Sequence, residues 1–497
     1  MADAQTRKYR PALPVRSRCV QHSIPKRKHL RRTMSIPNPL HQCILICEVV
    51  DHWDTLLELC KESIISLTLP KPSKKRALEF EHDRKRETLE RAKRSVGSRY
   101  VLKTDLARFY PSIYTHSIPW AIHGKAAARA DKDYKLFGNR IDLWLRETQD
   151  KQTGGIPVGP DTSFLMAEII ASRLDKELQS AFDDPIYGTR YVDDYNLYFA
   201  SLSDAEKGLS VLHRAAREYE LEINDLKTQI LEVPEPLEPH WKTQLRSMDL
   251  QFDDHATSIK ALFDRAYELA KEYTQDSVLT YVAKKLLSAT IATKDWEVCE
   301  SLLLRSLFGE PSMIQWLLQV YQKCEAPKSK ALAQAVNTLC QYLAPLQQSN
   351  EIAWSLWTAR ALEIKLSKET ALAVSNVNDD VVALVSLDMM ANGFLPQVTT
   401  PLWDAYLNAE ALYSDHWLLA YEAYEQGWRR LGNNDYIATD PHGCFQILRK
   451  SGVRFYDPET RWEGGAPSYG EEQTDETEDD DQSTLDDVFP FGEDLGI

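Results

Sequence analysis

The stretch Arg190-Tyr191-Val192-Asp193-Asp194-Tyr195-Asn196-Leu197-Tyr198-Phe199 restricts the fold more than any other part of the chain. Aromatic and β-branched residues favour extended backbone, so it is predicted as two short strands joined by a tight turn at the Asp pair. Two carboxylates at a hairpin tip share one pocket. Such a pocket suits a hard divalent cation, which takes oxygen ligands and draws in an anionic substrate. An isolated Asp-Asp turn is ordinarily just solvated, so the surrounding chain has to decide between the two.

Residues 1–25 are rich in Pro and Arg without a period and are predicted as an extended basic arm. A basic stretch over 26–39 ends in a Pro-broken turn, and residues 40–53 carry apolar positions at helical spacing. A charged helix is expected through about residue 95, closed by Gly97; within it residues 74–94 mix both signs of charge at helical spacing. Residues 100–114 form a strand running into a turn, with Asp105 its only acid, and helices with connecting loops fill 115–150. The Gly/Pro loop at 154–163 opens a long amphipathic helix, with Thr162 or Ser163 as N-cap. Backbone N–H groups at such a junction can approach a phosphate or a base pair. After the Asp-Asp hairpin come a helix over about 203–220 and a turn plus strand over 221–231 that places Lys227 nearby.

From about residue 257 to 430 glycines and strand signals nearly vanish, and helices of about a dozen residues follow one another. Trp354, Trp357, Ala361 and Ile364 recur at helical spacing on one face, and the paired lengths point to a degenerate stack of the HEAT type. From residue 471 on there are 12 acids and no Lys or Arg, the composition of a disordered acidic tail. The net charge of −15 conceals an asymmetry: residues 1–100 hold 22 Lys and Arg against 11 Asp and Glu, leaving 37 against 63 in the other 397. Basic charge is concentrated where a polyanion would be gripped. The eight Cys form no CxxC pair and read as reduced core thiols. No apolar run is long enough to cross a bilayer and no h-region follows the basic N-terminus, so the expectation is a cytoplasmic protein with no membrane partner.

Taken in order, these pieces resemble the reverse transcriptases. Asp105 with an aromatic residue five positions on resembles their first palm motif, Gly155-Ile156-Pro157-Val158-Gly159 the second, and Tyr191-Val192-Asp193-Asp194 the third. Residues 221–228 resemble the fourth, and residues 32–42, with Ile36-Pro37, the finger segment; the likeness spans about residues 16–235. It implies an α+β fingers–palm fold with a ferredoxin-like antiparallel palm sheet and helices over residues 26–240. An all-α HEAT-like domain over 241–460 and the disordered acidic tail over 461–497 would follow.

The resemblance implies that Asp105, Asp193 and Asp194 are catalytic carboxylates holding two Mg²⁺ ions, or Mn²⁺, about 3.5–4 Å apart. It makes Lys227 a general acid toward pyrophosphate and Tyr110 the steric gate that selects dNTPs. Arg32, Leu106, Val158 and Gly159 join Tyr110 as nucleotide-binding positions, Arg32 by neutralising triphosphate charge. Val158 departs from a common Pro-Gln-Gly triplet; the missing amide bears on templating, fidelity and processivity. The segments at 112–125 and 376–390 resemble the abortive-infection and defence-associated bacterial reverse transcriptases, similar in acting against phage and in forming homo-oligomers. Their single-stranded DNA is untemplated and primed by a protein tyrosine, or copied from a partner non-coding RNA. Tyr9, in the basic arm, is the candidate priming residue. The alternative is a catalytically silent RNA-binding scaffold; an RNA polymerase of similar palm is disfavoured by Tyr110.

Overall fold

The computed structural model describes residues 15–27, 30–74, 76–82, 84–248, 255–325, 329–428, 435–457 and 459, so Tyr9 and the acidic tail lie outside the described residues. The described chain divides into two compact units: the described residues up to Cys19 with Ser35–Leu237, and Val20–Met34 with the described residues from Glu238 on. Strands β1 (Val20–Arg27) and β2 (Leu30–Ile36) make a two-stranded sheet. The sequence carries the extended arm to residue 25, whereas the chain is already in β1 from Val20.

In the first unit, α1 (Pro39–Asp51) begins at Asn38, whose side chain accepts the Leu40 N–H at 3.2 Å, with Pro39 in the first turn. After α2 (Trp53–Cys60), strands β3 (Pro70–Pro72) and β4 (Leu78–Phe80) pair antiparallel before α3 (Arg84–Arg94). Continuous helix was expected across this region. Tertiary contacts override the helical spacing: the Leu78 N–H donates to Asp161 at 3.0 Å, and the Phe80 ring meets Phe164 and Tyr191 edge-on at 4.8 and 5.6 Å.

The palm sheet uses β5 (Tyr100–Asp105), β6 (Tyr187–Tyr191), β7 (Asp194–Phe199) and β8 (Gln229–Glu232), ordered β6-β7-β5-β8 and antiparallel throughout. Between β5 and β6 lie α4 (Phe109–Ser112), α5 (Ser117–His123), α6 (Lys125–Ala130), α7 (Phe137–Glu147) and the 20-residue α8 (Asp161–Ser180). Helix α9 (Leu202–Glu218) joins β7 to β8. With α8 and α9 as crossovers this is the βαββαβ order of a ferredoxin-like palm. Helix α8 starts after Pro160, before the expected caps, and buries residues on every side from Phe164 to Leu178, as a core helix does.

The second unit contains, with β1, twelve helices among the described residues: α10 (His240–Ser247), α11 (His255–Glu272), α12 (Val278–Leu287), α13 (Trp296–Ser306), α14 (Ile314–Lys323), α15 (Lys330–Leu343), α16 (Ser349–Ala361), α17 (Lys368–Val374), α18 (Asp380–Ala391), α19 (Pro401–Asp404), α20 (Trp417–Glu425) and α21 (Cys444–Lys450). Alternate helices pack in two rows, α12-α14-α16-α18-α20 and α11-α13-α15-α17. Trp354 and Trp357 are only half-buried and Ala361 is exposed; α16 instead buries Ile352, Leu356 and Ala359, because it is packed between neighbours in both rows. The acidic segment at 379–388 serves packing. Asp379 caps α18 and takes His22 of β1 at 2.9 Å, Asp380 takes His416 at 2.7 Å, and Asp388 accepts from Arg360 at 2.8 Å. Arg31 of β2 forks onto Glu351 of α16 at 2.5 and 2.8 Å.

Cys19, Cys60, Cys299 and Cys340 are buried as expected, while Cys43 and Cys47 are exposed on α1. No helix among the described residues is long and apolar enough to cross a membrane.

His41 is fully buried in α1 against Ser17 Oγ at 2.7 Å, and burial lowers its pKa from 6.5 to about 4. Between those values the unfolded chain binds the extra proton, so this group's share of stability is full above pH 6.5 and is lost as pH falls toward 4. The loss should run at about 1.4 kcal/mol per pH unit within that window. Urea unfolding of the wild type against His41→Gln at several pH values checks this; the variant should have the flatter profile.

Candidate active site

Asp105 ends β5, and the register sets it directly opposite Asp194, the first residue of β7. Directly opposed residues of an antiparallel pair project to one face of the sheet, so the two carboxylates are neighbours. The pair Tyr191–Asp194 closes a two-residue turn, Val192-Asp193. The sequence places both Asp at the tip; in the structure Asp193 is in the turn and Asp194 opens the strand. Asp105 and Asp193 are each 1% exposed.

Val192 has φ 58°, a left-handed conformation that a β-branched residue avoids. A positive φ at the first of two turn residues is what a type II′ hairpin requires, and the surroundings enforce it. The Val192 N–H donates to Thr68 Oγ1 at 3.2 Å, and its carbonyl accepts from Arg190 Nη1 at 2.9 Å. Arg190 is 0% exposed and donates to both oxygens of Glu168, at 2.9 and 2.8 Å, and to Asp175 at 2.8 Å. Ser66 and Thr68 donate to Glu168, and Ser63 to Asp175. Burial alone would lower the Arg190 pKa, but Asp175 and Glu168 hold it well above its ordinary value. Burial pushes Asp175 upward, so the network's charge separation is secured by the guanidinium, which stays protonated. Sequence reasoning assigned Arg190 no role. The available signal was a cation inside an apolar strand, with Glu168 and Asp175 seven residues apart on the predicted helix; a buried cation needs such partners.

After β5 the chain turns through Arg108, φ 49°, into α4, where Tyr110 is 4% exposed with its ring edge-on to Phe109. The Gly155 and Ile156 N–H groups donate to the carbonyls of Ile113 and Tyr110 at 2.9 and 3.0 Å. Gly155 has φ 79°, and a Cβ there would lie 2.9 Å from the Pro111 carbonyl oxygen, so glycine is what lets this loop clamp the Tyr110 turn. The Val158 carbonyl accepts from the Ser35 N–H at 2.8 Å, and Gly159 has φ 121°. Leu106 is fully buried and bridged to Ile223, which makes its side chain part of the core. Arg32 lies on β2 in the segment grouped with the helical unit, so the geometry of the palm does not include it.

Lys227 Nζ lies 2.7 Å from Asp105 Oδ2. The Asn224 N–H donates to the Asp105 carbonyl at 2.9 Å, and Thr228 Oγ1 meets Thr104 Oγ1 at 2.7 Å, so residues 224–228 are tied to the end of β5. The lysine therefore supplies counter-charge to a buried carboxylate. Asp105, Asp193 and Asp194 offer only carboxylate oxygens, the donor type that Mg²⁺ or Mn²⁺ takes. Among the described residues no three His, Cys, Asp or Glu side chains form a cage for an ion by themselves. A Mg²⁺ site completed by phosphate and water oxygens does not need one.

Replacing Arg190 by Met strands two buried carboxylates and should cost about 3–5 kcal/mol in urea unfolding. Arg190→Lys keeps the charge but not the fork that spans Glu168 and the Val192 carbonyl, so it should fold with a lower unfolding midpoint. Gly155→Ala should cost about 1–3 kcal/mol, since both its φ and its Cβ contact are unfavourable.

Residues 3–262, more than half of the chain, match the family model described as reverse transcriptase (RNA-dependent DNA polymerase). No curated protein matches the chain. The solved structures it resembles include apo telomerase from Candida tropicalis, at 10% identity and TM-score 0.34, over 76% of this chain and 67% of that one. Telomerase from Candida albicans in complex with a TWJ fragment of telomeric RNA is matched at 12% identity and TM-score 0.30, over 69% of this chain and 64% of that one. Scores this low carry no weight on fold or function. Reverse transcriptase domains generally use divalent metals, typically Mg²⁺, and bind dNTPs and nucleic acid. The family match, together with the paired carboxylates of an antiparallel palm, makes this chain a member of the reverse transcriptase family and a nucleotidyltransferase of that type.

Proposed function

We propose that this protein polymerises dNTPs in bacterial defence against phage, with Asp105, Asp193 and Asp194 as its catalytic carboxylates. The observation that carries the catalytic reading is the register that sets Asp105 opposite Asp194, with Asp193 held beside them in a clamped turn. Two bound Mg²⁺ ions, held by these carboxylates, would supply charge neutralisation at the phosphates and activation of a primer hydroxyl. Tyr110, fixed by the Gly155 loop, acts as the sugar gate, and Val158 and Gly159 flank the nucleotide. Lys227, positioned on Asp105, protonates the leaving pyrophosphate, and Leu106 contributes backbone; Arg32 is assigned to triphosphate charge on the resemblance alone.

The defence role is supported by the resemblance of residues 112–125 and 376–390 to abortive-infection reverse transcriptases, and by the two-row helical array that follows the palm in sequence, which this reading takes as HEAT-like. In this reading the protein is a cytoplasmic homo-oligomer with the domains set out from its sequence. It makes single-stranded DNA primed from Tyr9, either untemplated or copied from a partner non-coding RNA.

Asp193→Asn combined with Asp194→Asn should abolish both radiolabelled dNTP incorporation and protection of cells against phage; protection that survives would favour a silent scaffold. Tyr110→Ala should raise NTP incorporation relative to dNTP by about tenfold, measured by single-turnover extension.

A further inference from the structure

The residues between Tyr110 and the Gly155 loop enclose an open cavity of about 750 Å³, within the range that takes a small ligand. Its wall offers the rings of Tyr114, His116 and Tyr134, each half-buried, and the exposed cations Arg129 and Lys132. Two of the three acids of the wall are engaged elsewhere. Asp142 holds His116 Nδ1 at 2.8 Å and Arg146 at 3.2 Å, while Asp131 accepts the N–H groups of Asp133, Lys135 and Leu136. At the rim the exposed Glu220 lies 4.0 Å from Lys125. Lys125 and Arg129, one turn apart on α6, both stand over the Trp120 ring, at 4.1 and 5.1 Å, which holds two cations at the mouth. Tyr134 has φ 55°, a strained conformation for an aromatic residue, fixed by the Asp131-capped loop.

We propose that this cavity is a second nucleotide-binding site, separate from the carboxylate cluster. A base lies against Tyr134 or Tyr114, and its phosphate meets Arg129 and Lys132. Flat ring faces next to cations are the chemistry that recognises a nucleotide unit without regard to sequence. That unit arrives either free or as one residue of a single strand. The site stands independently of the catalytic assignment.

The test uses the full chain in EDTA, so that metal-supported binding at the carboxylates is absent and neither outcome bears on catalysis. Fluorescence anisotropy of a short labelled single-stranded DNA and competition by dAMP are measured for wild type, Tyr134→Ala and Lys132→Glu. Lys260→Glu on α11 makes the same charge change elsewhere. Tyr134→Ala and Lys132→Glu should each weaken binding about tenfold with unfolding midpoints unchanged, and Lys260→Glu should not. Loss for the oligonucleotide alone assigns the site to a strand; loss that extends to dAMP assigns it to free nucleotide. In the wild type, photo-crosslinked 8-azido-dAMP or thymidine-analogue DNA should label peptides within residues 112–146. Unchanged affinity for both probes, an equal loss in Lys260→Glu, or labelling confined to other peptides would overturn the proposal.

Discussion

The palm depends on one buried guanidinium. Arg190 ties together three parts of the chain that are distant in sequence: helix α8 through Glu168 and Asp175, the segment at 63–68 through the hydroxyls that share those carboxylates, and the Asp-Asp turn through the Val192 carbonyl. Two acids at the centre of a core would be left without a cationic partner, and the strained Val192 conformation would lose one of its two restraints. A network of this kind adds little net stability compared with a well-packed apolar alternative. Its value is geometric, because only one arrangement satisfies all its members.

The same economy governs the other side of the carboxylate cluster. Residues 224–228 have no regular structure of their own, yet hydrogen bonds at Asn224 and Thr228 bracket Asp105 and deliver Lys227 to it. The Gly155 loop does likewise for Tyr110. Asp193 and Lys227 sit on short turns and Tyr110 on a one-turn helix, while Asp105 and Asp194 stand at strand ends; strand pairing and α8 supply the rigid frame. The cavity at Tyr114 and Tyr134 follows that pattern too, being built from a capped loop and short helices on the same scaffold.

Much of this was readable before any coordinates. Strand β5, the hairpin, the helix after the Gly/Pro loop and the succession of helices beyond residue 257 all follow from period and composition. What escaped had a common cause. Leu78–Phe80 looks helical by charge spacing, but Asp161 and two aromatic rings draw it into a strand. Trp354 and Trp357 mark a face by period, yet α16 has neighbours in both rows and buries other residues. The acids at 379 and 380 gain their meaning from His22 and His416, which no local pattern links to them. Membership of Val20–Met34 in the helical unit is equally invisible, since His22 of β1 reaches Asp379 and Arg31 of β2 reaches Glu351, each more than three hundred residues away.

The sequence by itself determined the chemistry available to this protein: hard carboxylates at a strand end and in a hairpin, an aromatic five residues after the first of them, and a glycine loop. Those features are local, and local spacing is what a sequence displays. Tertiary structure alone decided how they are used. It set Asp105 opposite Asp194, moved Asp194 out of the turn and into β7, put Lys227 on Asp105, and gave Arg190 its place. Each of these outcomes is a pairing across long stretches of chain, fixed by burying charge and closing backbone hydrogen bonds together. A linear pattern can announce that a buried cation needs partners, but only the folded chain determines which residues they are.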